Sequence, residues 1–108
     1  MHKTLVVYRS KDNKEPFTEW LYSLRDKIVR ARIEARLIRV ENGNFGDHKR
    51  FGGLLELRFD FGKGYRVYCA EDGHNIVLLL TGGDKQRQEK DVSKALGYLE
   101  DYYEQKKI

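Results

Sequence analysis

The chain has few of the residues that restrain or cross-link a small protein: one cysteine, one proline and one tryptophan among 108 residues. The lone cysteine, Cys69, excludes an internal disulfide and a cysteine-based zinc site. No apolar run approaches the roughly 20 residues of a membrane-spanning helix, and we see no signal-peptide pattern. We therefore expect a protein of the reducing cytoplasm without a membrane partner.

Motifs for several common chemistries are also missing. Gly62 and Gly64 lie inside a predicted hairpin and not before a helix, which excludes a nucleotide-binding glycine loop. There is no nucleophile elbow, and the three histidines are scattered. Asp84 and Asp91 belong to one predicted helix and lack the further carboxylates of a two-metal centre. We predict neither a metal nor a small-molecule cofactor.

What the sequence does contain is charge. Charged residues make up 35% of the chain and hydrophobic residues 40%, which is typical of a folded domain. A chain of this length forms one core, so we predict a single domain over residues 1–108. The formal net charge of +4 favours acidic partners.

Hydrophobic periodicity predicts an α+β fold in the order β-α-α-β-β-β-α. A strand at 3–9 precedes two helices, which begin at Pro16 and after Asp26 and form an antiparallel hairpin. Residues 42–53 are predicted as a glycine-rich loop. Gly82 and Gly83 are expected to end the sheet, before a last helix that Asp84 caps. This helix is predicted to bury Val92, Ala95, Leu96, Leu99 and Tyr103.

Two central strands alternate cleanly between apolar and polar residues. Leu55, Leu57 and Phe59 share one face of the first strand, and Tyr65, Val67 and Cys69 share one face of the second. Pairing the apolar sets requires a connection of odd length or a bulge, for which Gly62 and Gly64 are suited. The opposite, solvent-facing side then carries Arg58, Arg66 and Tyr68.

Such a basic face suits an RNA phosphate. Cleavage by 2′-hydroxyl attack needs positive charge around the phosphorane, which Arg58, Arg66 and Lys85 would supply without a metal. Tyr68 would stack on a base or donate a proton, and His48 or Lys85 would move protons. Residues of this kind are as suited to binding as to cutting. The helix face that carries Arg32, Arg36 and Arg39 is either a solvated surface or a second phosphate contact.

The sequence resembles the RelE/ParE superfamily of bacterial toxins, within it the HigB-like, phage-associated killer-protein branch. Four segments carry the resemblance in order along the chain: G-N-F-G-D-H-K at 43–49, E-L-R at 56–58, G-Y-R-V-Y at 64–68 and L-L-x-G-G-D-K-x-x-Q at 79–88. The resemblance implies a RelE-like fold, with a small, mainly antiparallel curved sheet, a helical hairpin on one face and a C-terminal helix.

The resemblance also implies a function. Members of this family are similar to ribosome-dependent endoribonucleases that cut mRNA and are neutralised by an antitoxin, in this branch usually of the helix-turn-helix type. Carried over by position, the catalytic residues are Arg58, Arg66, Tyr68 and Lys85. The expected RNA-binding residues are His48, Lys49, Arg50 and Arg87.

The sequence departs from RelE proper at three positions. Leu54 and Glu56 stand where RelE has lysines, and Asp91 stands near a tyrosine of its last helix, so proton transfer would fall to other residues. Glu56 is expected to form a salt bridge with Arg58. Two alternatives stay open: a ParE-like toxin that poisons DNA gyrase by binding, and a non-toxic, phage-derived RNA-binding module.

Overall fold

The computed structural model describes residues 2–107 and confirms an α+β fold. Positions 1 and 108 of the predicted domain lie outside the described residues. In chain order the elements are β1 (Thr4–Val7), α1 (Pro16–Ser23), α2 (Lys27–Glu41), β2 (His48–Phe51), β3 (Leu54–Arg58), β4 (Tyr65–Asp72), β5 (Ile76–Asp84), a 3₁₀ turn (Lys85–Arg87) and α3 (Gln88–Lys106).

The five strands form one sheet in the order β1-β5-β4-β3-β2. All neighbours are antiparallel except β1 and β5, so the sheet is mainly antiparallel. The predicted loop at 42–53 is wrong in part, because His48–Phe51 form an edge strand paired with β3. Gly52 and Gly53 turn the chain back with φ of 58° and 83°. No apolar alternation marks β2, since three of its four residues are polar.

Helices α1 and α2 cover one face of the sheet. Pro16 begins α1, and the Asp26 carboxylate caps α2 by accepting from the backbone N–H groups of Ile28 and Val29, both as predicted. The apolar stripes of both helices enter a first core with the inward residues of the sheet. This core includes Phe17, Leu21, Ile33, Leu37, Val40, Leu55, Leu57, Val67 and Cys69.

Helix α3 covers the other face. The prediction that this face of β3 and β4 is open to solvent is wrong over most of its length, because Leu54, Tyr68 and Ala70 lie there and are buried. The result is a second core under α3. It contains Tyr8, Leu54, Tyr68, Ala70, Leu78, Leu80 and Ala95.

The buried side of α3 is rotated from the predicted one. Leu96 and Tyr103 are 39% and 42% exposed, whereas Asp91 and Ala95 are buried. Two contacts fix this rotation: the ring of Tyr98 stacks on that of Tyr8 with 5.2 Å between centroids, and Asp91 lies against Gly83. Helix α3 therefore meets the sheet partly through polar groups.

The prediction that Gly82 and Gly83 end the sheet is also wrong. Both belong to β5 and pair with β4. A Cβ on Gly82 would lie 2.2 Å from the Trp20 ring, and one on Gly83 would lie 1.8 Å from the Asp91 carboxylate. These glycines permit side chains of α1 and α3 to contact the strand directly.

The described chain is compact. Its Cα radius of gyration is 13.1 Å, close to the ~13 Å expected for a domain of this length. Within residues 2–107, no helix combines the length and apolar character needed to span a membrane.

Candidate functional site

The hairpin that joins β3 and β4 organises the site. Leu57 pairs with Val67, and Arg58 lies directly opposite Arg66. The two arginines therefore share a face, as the alternation predicted. The backbone N–H of Phe59 donates to the carbonyl oxygen of Tyr65 at 3.0 Å, one step beyond β3. The connection inside this pair, residues 60–64, has the odd length that the register requires. Gly62 and Gly64 adopt φ of 55° and 72°, which glycine tolerates best. The register therefore places both arginines on the α3 side of the sheet.

A cavity of about 460 Å³ lies at this hairpin, and we call it the arginine cavity. It brings together Arg58, Arg66 and Lys85, the three cations that the sequence analysis had assigned to one phosphate. Four cations and two carboxylates line it, which leaves a formal charge of +2. The full lining is Asp47, Arg58, Phe59, Asp60, Phe61, Gly62, Lys63, Gly64, Arg66 and Lys85.

Hydrogen bonds and a salt bridge to neighbouring groups hold the side chains of Arg58 and Arg66 in place. Arg66 is only 8% exposed, and its Nη1 donates to the carbonyl oxygens of Gly64 and Tyr65 at 3.1 and 3.2 Å. The Nε of Arg58 lies 3.4 Å from Oε1 of Glu56, which is the predicted salt bridge. Because each guanidinium is fixed by a neighbour, little side-chain entropy remains to be lost when an anion binds.

A β-bulge sets the position of Lys85. Between the pairs Tyr68–Thr81 and Cys69–Leu79 the register shifts by one, so Leu80 is an extra residue in β5. The shift turns Gly83 toward α3 and brings Asp84 opposite Tyr65. Lys85 follows immediately and is exposed, with its backbone N–H 3.4 Å from the carbonyl oxygen of Lys63.

A buried polar cluster lies behind the arginine cavity and beneath α3. Glu56 is fully buried, and its Oε2 accepts from Nε2 of Gln88 at 2.8 Å. Tyr68 is opposite Glu56 in register, and Asp91 reaches the same face from α3. Burial raises the pKa of the Asp91 carboxyl. Sequence reasoning missed the burial of Glu56, because only the position of α3 reveals it.

Tyr68 does not have the exposure that its predicted role requires. Its side chain is fully buried, so its ring has no surface on which a base can stack. Burial, together with the charge of Glu56, raises the pKa of its hydroxyl. Tyr68 therefore belongs to the core under α3 and not to the surface of the arginine cavity.

Comparison with known proteins identifies a relative of this chain. The sequence is similar to an uncharacterized protein of Haemophilus influenzae, with 46% identity over 80 residues. The match spans 73% of this chain and 81% of that protein. The chain belongs to the family of that Haemophilus protein. No protein-family model matches the sequence. The relative's description states no activity, so function must be inferred from the chemistry of the site.

The four predicted RNA-binding residues do not form one group. Lys49 lies on the α3 side of β2, whereas His48 and Arg50 lie on the opposite side. The Nδ1 of His48 is 2.8 Å from the carbonyl oxygen of Gly46, and Arg50 forms an ion pair with Glu71. Arg87 is exposed at the end of the 3₁₀ turn. Of the four, Lys49 is the one that shares a cavity with Lys85.

The arginines of α2 have separate roles. Arg36 donates to the carbonyl oxygens of Phe45 and Arg58, both at 2.9 Å, and also to that of Asp47. Burial lowers the pKa of its guanidinium. The three carbonyl oxygens hold the group in place by hydrogen bonds. Arg32 stacks on Phe61, with its Cζ 3.8 Å from the ring centroid. Arg36 therefore ties α2 to β3 and is not free to bind phosphate.

Proposed function

We propose that the chain is the toxin of a type II toxin–antitoxin module, of the RelE/ParE superfamily and its HigB-like branch. In this proposal it cleaves mRNA on the ribosome without metal or cofactor, and a helix-turn-helix antitoxin neutralises it. The element order would be a variant of the RelE-like topology, with β2 added at the edge. The observation that carries the proposal is the convergence of Arg58, Arg66 and Lys85 on one cavity.

The reaction requires balanced proton transfers. The ribose 2′-oxygen attacks phosphorus, loses its proton and forms a P–O bond, while the P–O5′ bond breaks and O5′ gains a proton. Arg58 and Arg66 would stabilise the charge of the phosphorane. Among the exposed groups of the cavity, the carboxylates of Asp47 and Asp60 would serve as proton acceptors, and the ammonium groups of Lys63 and Lys85 would serve as donors.

A translation-coupled cleavage assay tests the assignment. Arg66→Ala and Lys85→Ala should each slow mRNA cleavage by about 100-fold or more, because each removes a positive charge that stabilises the transition state. Arg25→Ala and Lys27→Ala, at exposed positions near the start of α2, are controls for the loss of one positive charge. Urea unfolding controls for the removal of the buried Arg66 side chain. Wild-type cleavage by the two cavity variants would show that the site is elsewhere.

A second candidate function is RNA binding without cleavage. It is favoured by the burial of Tyr68 and by the position of His48, because these two of the three residues expected to move protons lie outside the arginine cavity, which Lys85 lines. Normal growth on induced expression, with uncut mRNA and with RNA binding that depends on Arg66, would select this function.

A further inference from the structure

A second cavity of about 590 Å³ lies between β2 and the beginning of α3, and we call it the Phe51 cavity. Lys85 lines both this cavity and the arginine cavity, so the two share a wall. Lys49 and Phe51 supply the β2 side, because they are paired with Glu56 and Leu54 on the face toward α3. Glu89 and Val92 supply the α3 side.

The lining combines an aromatic ring with polar groups at the rim. Phe51 is half-buried, and the Nζ of Lys49 lies 5.7 Å from its ring centroid. Val92 adds an aliphatic surface from α3. The amide of Gln86 and the carboxylate of Glu89 offer hydrogen-bond donors and acceptors. A flat, partly apolar ring with hydrogen-bonding edges is the ligand that matches these groups.

We propose that the Phe51 cavity binds the nucleobase next to the phosphate held by Arg58, Arg66 and Lys85. The inference rests on the proposed function in that it takes the ligand to be single-stranded RNA, whose unstacked bases are free to enter such a cavity. Because Lys85 separates the two cavities, a phosphate at the first and its adjacent base at the second lie on opposite sides of one side chain. The Phe51 cavity would then give the protein its base preference.

Binding of RNAs that each lack one base tests the proposal. The probes are short fluorescein-labelled, 2′-O-methylated RNAs, which 2′-hydroxyl attack cannot cleave, with an abasic nucleotide at each position in turn. In fluorescence anisotropy, wild type should lose about 10-fold in affinity at one position, since stacking of one base on an aromatic ring contributes about that much. Phe51→Leu should remove this dependence and leave the affinity for the abasic RNA unchanged.

Tyr103→Leu is the matched control, because Tyr103 is an exposed aromatic residue of α3 outside the Phe51 cavity. It should retain the position dependence of wild type. Glu89→Gln, at the exposed rim, is a second variant that does not disturb packing, and it should change which base is preferred at that position. Urea unfolding of each variant must first show that it is folded. The position dependence and the base preference are then measured on that protein.

The outcomes separate this inference from the proposed nuclease. Equal effects at every abasic position, position dependence that persists in Phe51→Leu, or no RNA binding at all would overturn the base-binding subsite. Position dependence without any mRNA cleavage would leave the subsite standing and reject the nuclease. Cleavage that requires Arg66, without position dependence, would reject the subsite alone.

Discussion

At the scale of single residues, Gly64 couples the backbone of the β3–β4 hairpin to the cations of the arginine cavity. Its φ is 72°, which disfavours any side chain. A Cβ built there would lie 3.2 Å from the Cβ of Lys85 and 3.7 Å from Nη1 of Arg66. A methyl group at this position would therefore press on Lys85 and touch Arg66 at van der Waals distance.

Gly64→Ala is expected to weaken RNA binding beyond its effect on stability. Gly73→Ala is the matched control, because Gly73 has φ of 71° but no atom within 4 Å of the added Cβ. Both variants should lose about 1–2 kcal/mol in urea unfolding, the cost of a left-handed conformation for alanine. Only Gly64→Ala should also weaken binding of the 2′-O-methylated RNA. Equal loss of binding in both variants would contradict a specific role for Gly64.

Individual residues also show where sequence reasoning ends. Alternation correctly placed Glu56 and Tyr68 on the same face as Arg58 and Arg66. It did not predict that the first two are buried while Arg58 lines a cavity. That difference depends on α3, whose Gln88 bonds Glu56 from 32 positions away in the chain. A two-residue period carries no information on which end of a strand a distant helix covers.

At the scale of elements, strand pairing could be predicted where apolar and polar side chains alternate. It could not be predicted where side chains of a helix contact the strand backbone directly. The odd β3–β4 connection followed from matching two apolar faces. In contrast, Gly82 and Gly83 are compatible with a turn or with close packing, and only the positions of Trp20 and Asp91 distinguish these. Strand β2 was missed because an edge strand exposed to solvent needs no apolar pattern.

Helix α3 is fastened to the sheet by two tyrosine–aspartate pairs. The Tyr8 hydroxyl donates to Asp101 at 2.5 Å, and the Tyr102 hydroxyl donates to Asp72 at 2.6 Å. Lys106 also donates to Asp72, at 2.6 Å. These hydrogen bonds lower the pKa of both carboxyls below the ordinary value of 3.8. The attachment of α3 therefore depends on two ionised carboxylates.

The stability of the fold should consequently fall in acid through these two groups. Since their folded pKa values are lowered, their stabilisation is complete above pH 3.8 and is lost as the pH falls through the lower folded values. The double variant Asp72→Asn/Asp101→Asn should be less stable at pH 6 and should lose less stability between pH 6 and pH 2. Urea unfolding across this range measures both effects.

Asp12→Asn serves as the control for the acid experiment, because Asp12 is exposed in the turn before α1. It should retain the acid dependence of wild type. An unchanged acid dependence in the double variant would mean that other carboxylates control the acid response and that the tyrosine pairs contribute little.

At the scale of the whole molecule, the net charge of +4 predicted an acidic partner but did not locate it. Several cations already have partners within the protein: Arg36 donates to carbonyl oxygens, Arg50 pairs with Glu71 and Lys106 pairs with Asp72. The arginine cavity carries +2 from a lining that includes Asp47 and Asp60. RNA affinity should therefore follow the charge of this cavity and not the total charge of the protein.

Two aspartate variants with the same change in net charge distinguish the effect of the charge in the arginine cavity on RNA affinity from the effect of the total charge. Asp60→Asn removes a negative charge from the arginine cavity, whereas Asp12→Asn removes one from the turn before α1. Asp60→Asn should raise RNA affinity by up to about fivefold, because exposed charges interact by about 0.2–1 kcal/mol. Asp12→Asn should change it little. The gain should shrink between 50 and 200 mM salt, since screening weakens exposed charge pairs.

Asp60→Asn also separates binding from catalysis. If the Asp60 carboxylate accepts the proton of the 2′-hydroxyl, the variant should cut mRNA more slowly although it binds RNA more tightly, because an amide is not a base at neutral pH. Anisotropy with uncleavable RNA and translation-coupled cleavage measure the two quantities on the same protein. Faster cleavage in step with tighter binding would mean that Asp60 only repels phosphate and that another group accepts the proton.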